Sequence, residues 1–87
     1  METFFSEDAE SDLRKMEKKL QEFFVKHAEK LAGMPPRRHM RFGIPLNVEN
    51  VTEQARMVYC ILDGEKLFVS RCFATHKEYE GWYRSLR

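Results

Sequence analysis

Apolar residues recur at intervals of three and four over residues 6–32, a spacing that places side chains on one stripe of an α-helix. The stripe consists of Ala9, Leu13, Met16, Leu20, Phe23, Phe24, His27 or Ala28, and Leu31. Ser6 is a suitable N-cap, and Gly33 with the prolines that follow it ends the pattern. The sequence therefore predicts one long N-terminal helix over residues 6–32.

Strict alternation of apolar and polar residues follows and indicates a half-buried strand over residues 39–48. The apolar members are Met40, Phe42, Ile44, Leu46 and Val48. Pro45 has no N–H for a ladder, which predicts that this strand lies at a sheet edge.

Two further apolar runs, residues 55–62 and 65–73, flank the dipeptide Asp63-Gly64. This dipeptide tolerates the positive φ angles of a two-residue type I′ turn, so the runs are predicted to pair as a hairpin. Thr75 followed by Glu78 is typical of a capping box, and it opens a predicted last helix over residues 75–87.

Taken together, these elements predict a single α+β domain over residues 1–87, in the order α-β-β-β-α, with a three-stranded antiparallel sheet. A chain of 87 residues that is 43% hydrophobic has enough apolar material for one modest core. Because so small a core leaves little spare stability, a bound partner or a second copy is expected.

Both faces of the predicted hairpin are apolar. With a two-residue turn, Tyr59 opposes Phe68 on one face and Val58 opposes Val69 on the other. Helices joined by short connections pack most simply on one side of a sheet, which leaves the other side open; the alternative is that they divide between the two faces. An uncovered apolar face usually marks an interface. The predicted partner-binding residues are Met57, Tyr59, Ile61, Phe68 and Tyr83.

Charge and cysteine usage exclude several classes of protein. Fifteen Lys and Arg against fourteen Asp and Glu give a net charge of +1, far from that of a nonspecific nucleic-acid binder. Cys60 and Cys72 form neither a metal-type pair nor a disulfide framework. No phosphate loop, nucleophile elbow or paired-carboxylate motif is present. We therefore expect no catalysis, no cofactor, no metal, no small-molecule substrate and no insertion into a membrane, and an intracellular (cytoplasmic or nuclear) location.

Arginine is the one residue type that suggests an anionic ligand. The candidate contacts for an anion or RNA are Arg37, Arg38, Arg41, Arg56 and Arg71. The predicted hairpin register places Arg56 opposite Arg71, where the two guanidinium groups repel unless a carboxylate or phosphate lies between them. The alternative is that the cluster is a solvated face.

The stretch DGEKLFVSRCFATHKEYEGWYRSLR at residues 63–87 resembles the hairpin and helix of the small signal recognition particle subunits that bind Alu RNA. That resemblance implies the same order of elements and RNA binding. The sequence analysis predicts a non-catalytic protein-binding module, a homodimer or a small subunit or adaptor of a larger complex. The alternative is an RNA-binding module that uses the arginine cluster.

Overall fold

The computed structural model describes residues 2–34, 46–63 and 65–86. In chain order the elements are β1 Glu2–Phe5, α1 Glu7–Arg14, α2 Lys18–Ala32, β2 Asn47–Asn50, β3 Arg56–Leu62, β4 Lys66–Phe73 and α3 His76–Ser85. The strands form a four-stranded sheet in the order β1-β4-β3-β2. Strand β1 runs parallel to β4, and the other neighbours are antiparallel.

The predicted three-stranded antiparallel sheet is wrong, because a short first strand makes the sheet mixed. Strand β1 has four residues, ETFF, and its partners are Lys66 to Val69 at the far end of the chain. Four residues are too few to reveal a period of two, and nothing local indicates so distant a partner. The likeness to the Alu-RNA-binding subunits did not imply this parallel strand.

The predicted single helix over residues 6–32 is also wrong, because the chain leaves helical geometry at residues 15–17. Lys15 is the C-cap of α1 and Glu17 the N-cap of α2. The apolar spacing continues through the break, since Leu13, Met16 and Leu20 all pack against the same core. Hydrophobic periodicity therefore did not reveal two helices that share one core.

The β3–β4 hairpin differs in register from the predicted one. Leu62 pairs with Lys66, so the connection holds three residues, with Asp63 at a φ of 54°. The ladder then shifts between Val58 and Tyr59, which leaves Ser70 without a cross-strand partner. Because the connection holds three residues and not two, Tyr59 opposes Val69 instead of Phe68.

Strand β2 is the described part of the predicted strand over residues 39–48. It pairs with β3 from Asn47 opposite Tyr59 to Asn50 opposite Arg56. The first part of the predicted strand, and the edge position predicted for Pro45, lie outside the described residues.

Helices cover both faces of the sheet, so the predicted one-sided packing is wrong and the divided arrangement is correct. On the inner face, α1 and α2 pack on β3 and β4; the buried members are Ala9, Phe24, Ala28, Met57, Tyr59, Leu67, Val69 and Cys72. On the outer face, α3 packs on Val58 and Phe73 through Tyr79. In residues 2–34, 46–63 and 65–86, no helix has the length and apolarity needed to cross a membrane.

Candidate functional site

The edge of β4 beyond β1 is closed by α1. Ser6 begins this contact by donating its backbone N–H to Val69 and its hydroxyl to the carbonyl of Ser70. One helical turn into α1, Asp12 accepts hydrogen bonds from the Cys72 N–H at 3.0 Å and from Nε and Nη2 of Arg71 at 2.8 and 3.1 Å. These charge-assisted bonds raise the pKa of Arg71. Asp12 thus provides the Cys72 N–H with an acceptor at a part of β4 that β1 does not reach. Its negative charge also compensates the Arg71 guanidinium.

A cleft of about 520 Å³ opens between the end of α1 and α3, at the end of β4. The α1 side of the cleft contributes Asp12, Lys15 and Met16, the end of β4 contributes residues 71–74, and α3 contributes Glu78, Gly81 and Trp82. Cations, carboxylates and an aromatic ring therefore meet around one cavity. We refer to it below as the α1–α3 cleft.

The outer face of the sheet is covered over only part of its area. At the end away from α3, a row of side chains crosses three strands, because Phe4 is opposite Phe68 and Phe68 is opposite Cys60. Phe4 is 41% exposed and Leu62, on the same face, is 44% exposed. The Lys66 ammonium lies 5.9 Å from the centre of the Phe4 ring. We call Phe4, Cys60, Leu62 and Phe68 the open patch.

Helix α3 carries a histidine that is oriented by a carboxylate. Nδ1 of His76 lies 3.1 Å from Oε1 of Glu80, and Nη2 of Arg84 lies 3.5 Å from the other oxygen of that carboxylate. The His76 and Glu80 side chains are each 43% exposed. Because Glu80 engages Nδ1, the second ring nitrogen is directed away from it. This is the arrangement by which a carboxylate fixes an imidazole for proton transfer.

The residues predicted to bind a partner do not form one surface. Met57 and Tyr59 are buried beneath α1 and α2, and Ile61 packs against the same inner core. Phe68 lies on the outer face as part of the open patch, and Tyr83 packs beside Tyr79 in the α3 interface. Only Phe68 of the five adjoins uncovered sheet, and a role for the set stays a prediction.

The arginines predicted to contact an anion or RNA also do not form one described surface. Arg37, Arg38 and Arg41 lie outside the described residues. Arg56 opposes Phe73 rather than Arg71, and its Nη1 donates to the backbone carbonyls of residues 52, 53 and 55. Arg71 opposes Val58 and is held by Asp12. A carboxylate within the chain therefore occupies the position suggested for an external anion at Arg71.

Neither cysteine has the character of a nucleophile. Burial raises the pKa of the Cys72 thiol to about 12, with a further contribution from the nearby Asp12 carboxylate. Burial also raises the pKa of Cys60. The sequence analysis missed Asp12, Lys15, His76 and Glu80. Each of them gains its neighbours through tertiary contacts or contacts along a helix, which no short motif indicates.

The fold is similar to that of solved RelE and RelBE structures. No family model and no curated protein sequence matches the chain. The toxin–antitoxin complex RelBE2 from Mycobacterium tuberculosis matches at a TM-score of 0.70 and 21% identity, over 83% of this chain and 87% of that one. The intact RelBE complex from E. coli gives 0.68 and 20% over 82% and 92%, and isolated E. coli RelE gives 0.67 and 19% over 95% and 96%. At these identities the likeness establishes the fold.

This comparison corrects the prediction that the chain is not an enzyme. The structural neighbours are toxins, isolated E. coli RelE among them, so the expectation of a purely binding module is withdrawn. A protein-binding role is consistent with neighbours that are toxins solved with antitoxins. The comparisons support neither the adaptor nor the homodimer prediction.

Proposed function

We propose that this chain is a RelE-type toxin that cleaves RNA and is neutralised by a protein antitoxin. The observation that carries the proposal is the extent of the fold match, which takes in 95% of this chain and 96% of isolated E. coli RelE. Because the match covers nearly all of both chains, this chain is a candidate for the same activity. Toxins of this fold are ribosome-dependent ribonucleases.

The His76–Glu80 pair supplies the chemistry that this proposal needs. Cleavage of RNA by its own 2′-hydroxyl requires a base that takes the hydroxyl proton and an acid that protonates the departing 5′-oxygen. An imidazole can accept or donate a proton, and the carboxylate at 3.1 Å from Nδ1 fixes the orientation of this ring. We propose His76 as the proton-transfer residue, with Glu80 as the residue that orients it.

The open patch supports the second half of the proposal, which is capture by a protein antitoxin. Its apolar side chains lie on the outer face at the end away from α3, and two of them are more than 40% exposed. The case for a homodimer depended on helices covering one face only, and α3 removes that argument. A partner that lays apolar side chains on the open patch is therefore proposed to be a different protein.

The catalytic proposal is tested by expressing the chain from an inducible promoter and by mapping mRNA ends on ribosomes with primer extension. Induction is expected to stop growth and to produce new mRNA ends. His76→Gln should reduce cleavage by about 100-fold or more, the usual share of general acid–base catalysis. Lys77→Gln, at an exposed neighbour on α3, is the matched control. Intact mRNA in cells that contain folded wild-type chain would overturn the proposal.

The antitoxin proposal is tested genetically in the same cells. A genomic library from the native source is screened for a protein that relieves the growth arrest. Leu62→Asp on the open patch should retain toxicity and escape that protein, since a charge there opposes apolar docking. Val25→Asp, on α2 and 40% exposed, is the control and should remain neutralised. Equal neutralisation of both variants would exclude the open patch as the docking surface.

A further inference from the structure

Gly81 in the wall of the α1–α3 cleft has no structural explanation within the fold. It lies inside α3, where glycine is about 1 kcal/mol less favourable than alanine. A Cβ at this position would meet no atom within 4 Å, so neither close packing nor a strained backbone requires glycine. Glycine is useful where a ligand must approach the backbone closely. The missing side chain keeps the cleft open along α3.

The walls of the cleft combine an aromatic ring with positive charge. Trp82 lines the α3 side and is half-buried, with its ring 5.4 Å from that of Phe73. Across the cleft, Lys15 follows the end of α1 and is exposed. Arg71 lies between them, with its guanidinium 5.0 Å from the Phe73 ring centre. Proteins bind single-stranded nucleic acid with aromatic side chains, on which the bases stack, and with cations next to them.

We infer that the α1–α3 cleft binds one nucleotide of single-stranded RNA, with the base against Trp82 and a phosphate at Lys15. This inference rests on the proposed action on RNA and adds a site for a nucleotide away from the His76–Glu80 pair. The volume of about 520 Å³ lies within the range of roughly 300–1,000 Å³ typical of small-ligand sites. A base with its sugar phosphate is a ligand of this size class.

The two carboxylates at the cleft are compatible with a phosphate on the α1 side. Asp12 is engaged by Arg71 and by the Cys72 N–H, so its charge is already compensated. Glu78 belongs to α3, on the opposite wall from Lys15. A carboxylate there can accept a hydrogen bond from a base amino group. The phosphate is thereby directed to Lys15 and the base to the α3 side.

The experiment uses Trp82, the single tryptophan of the chain, as its reporter. The purified chain is titrated with a six-nucleotide 2′-O-methyl RNA, which lacks the hydroxyl needed for cleavage, and tryptophan fluorescence is recorded. We expect saturable quenching. Gly81→Leu should weaken binding by at least about 10-fold, the loss expected when one stacked base is displaced. Leucine favours the helix more than glycine does, so this variant retains α3.

Two matched controls separate the site from general effects. Gly81→Ala adds a helical preference with only one methyl group and should weaken binding less than Gly81→Leu does. Lys15→Gln should weaken binding and reduce the salt slope by about one, whereas Lys19→Gln, exposed on α2, should not. Equal affinities of the wild type and Gly81→Leu would overturn the inference, even if the chain cleaves RNA. If the wild type binds the RNA and Gly81→Leu does not, but the chain never cleaves RNA, only the proposed function is overturned.

Discussion

Asp12 shows how one side chain connects two parts of the fold. Its carboxylate accepts three hydrogen bonds from consecutive residues of β4, and it is only 13% exposed. A hydrogen bond to a charged group contributes about 1.5–3 kcal/mol, and a buried donor left unpaired costs a similar amount. The contact between α1 and the open end of β4 therefore depends largely on this residue.

Asp12→Ala is expected to reduce the free energy of unfolding by about 2–3 kcal/mol, because the Cys72 N–H and the Arg71 guanidinium lose their acceptor. Urea denaturation followed by circular dichroism measures the change. Asp8→Ala, at an exposed position in the same helix, should change stability by less than about 0.5 kcal/mol. Similar denaturation midpoints for the two variants would show that the edge contact is not stabilising.

The raised pKa of Cys72 leads us to expect that the free energy of unfolding decreases in alkali. Its pKa is about 12 in the folded chain against an ordinary value of 9.0, so the unfolded thiol ionises first as pH rises. The Cys72 contribution is constant below about pH 9 and is lost progressively between pH 9 and 12. Urea denaturation at pH 8, 9 and 10 should show a steeper decline for the wild type than for Cys72→Ala. Parallel declines would contradict the assignment.

At the scale of elements, the predicted helix caps are confirmed, whereas the predicted two-residue hairpin turn and the tertiary arrangement are wrong. The Ser6 hydroxyl accepts the Ala9 N–H at 3.0 Å, and the Thr75 hydroxyl accepts the Glu78 N–H at 3.2 Å. Gly33 is the C-cap of α2, as predicted. These interactions involve residues within four positions of each other, so the sequence displays them directly. The break before α2 and the ladder shift near Ser70 depend on packing against other elements.

Helix α3 is expected to dock mainly through Tyr79, which is 4% exposed and packs on Phe73 with ring centres 6.0 Å apart. Tyr79→Ala should lower the free energy of unfolding by about 3–5 kcal/mol, as for other buried aromatic residues. Leu86, at the end of the same stripe, is 44% exposed, and Leu86→Ala should cost less than about 1 kcal/mol. Chemical denaturation compares the two, and equal effects would argue against this docking geometry.

At the scale of the whole molecule, the sequence predicted an α+β domain but misplaced its surfaces. The alternation around Met57 and Tyr59 indicated an apolar face, but periodicity alone did not reveal that α1 and α2 cover it. Phe68 reaches the open patch because a three-residue connection moves it to the other face. The α1–α3 cleft joins residues about 60 positions apart, such as Asp12 and Arg71, and no local pattern connects them.

The parallel pairing of β1 with β4 also sets an order in time. Strand β1 is synthesised before its partner, because Lys66 to Val69 are made 64 residues later, roughly 3–13 s at ordinary rates of synthesis. Until then neither the fourth strand of the sheet nor the α1 contact with β4 can form. A chain interrupted before residue 66 also lacks α3, and with it His76. The mixed sheet, the α1 contact with β4 and the proposed proton-transfer residue are therefore completed together, only after β4 has been made.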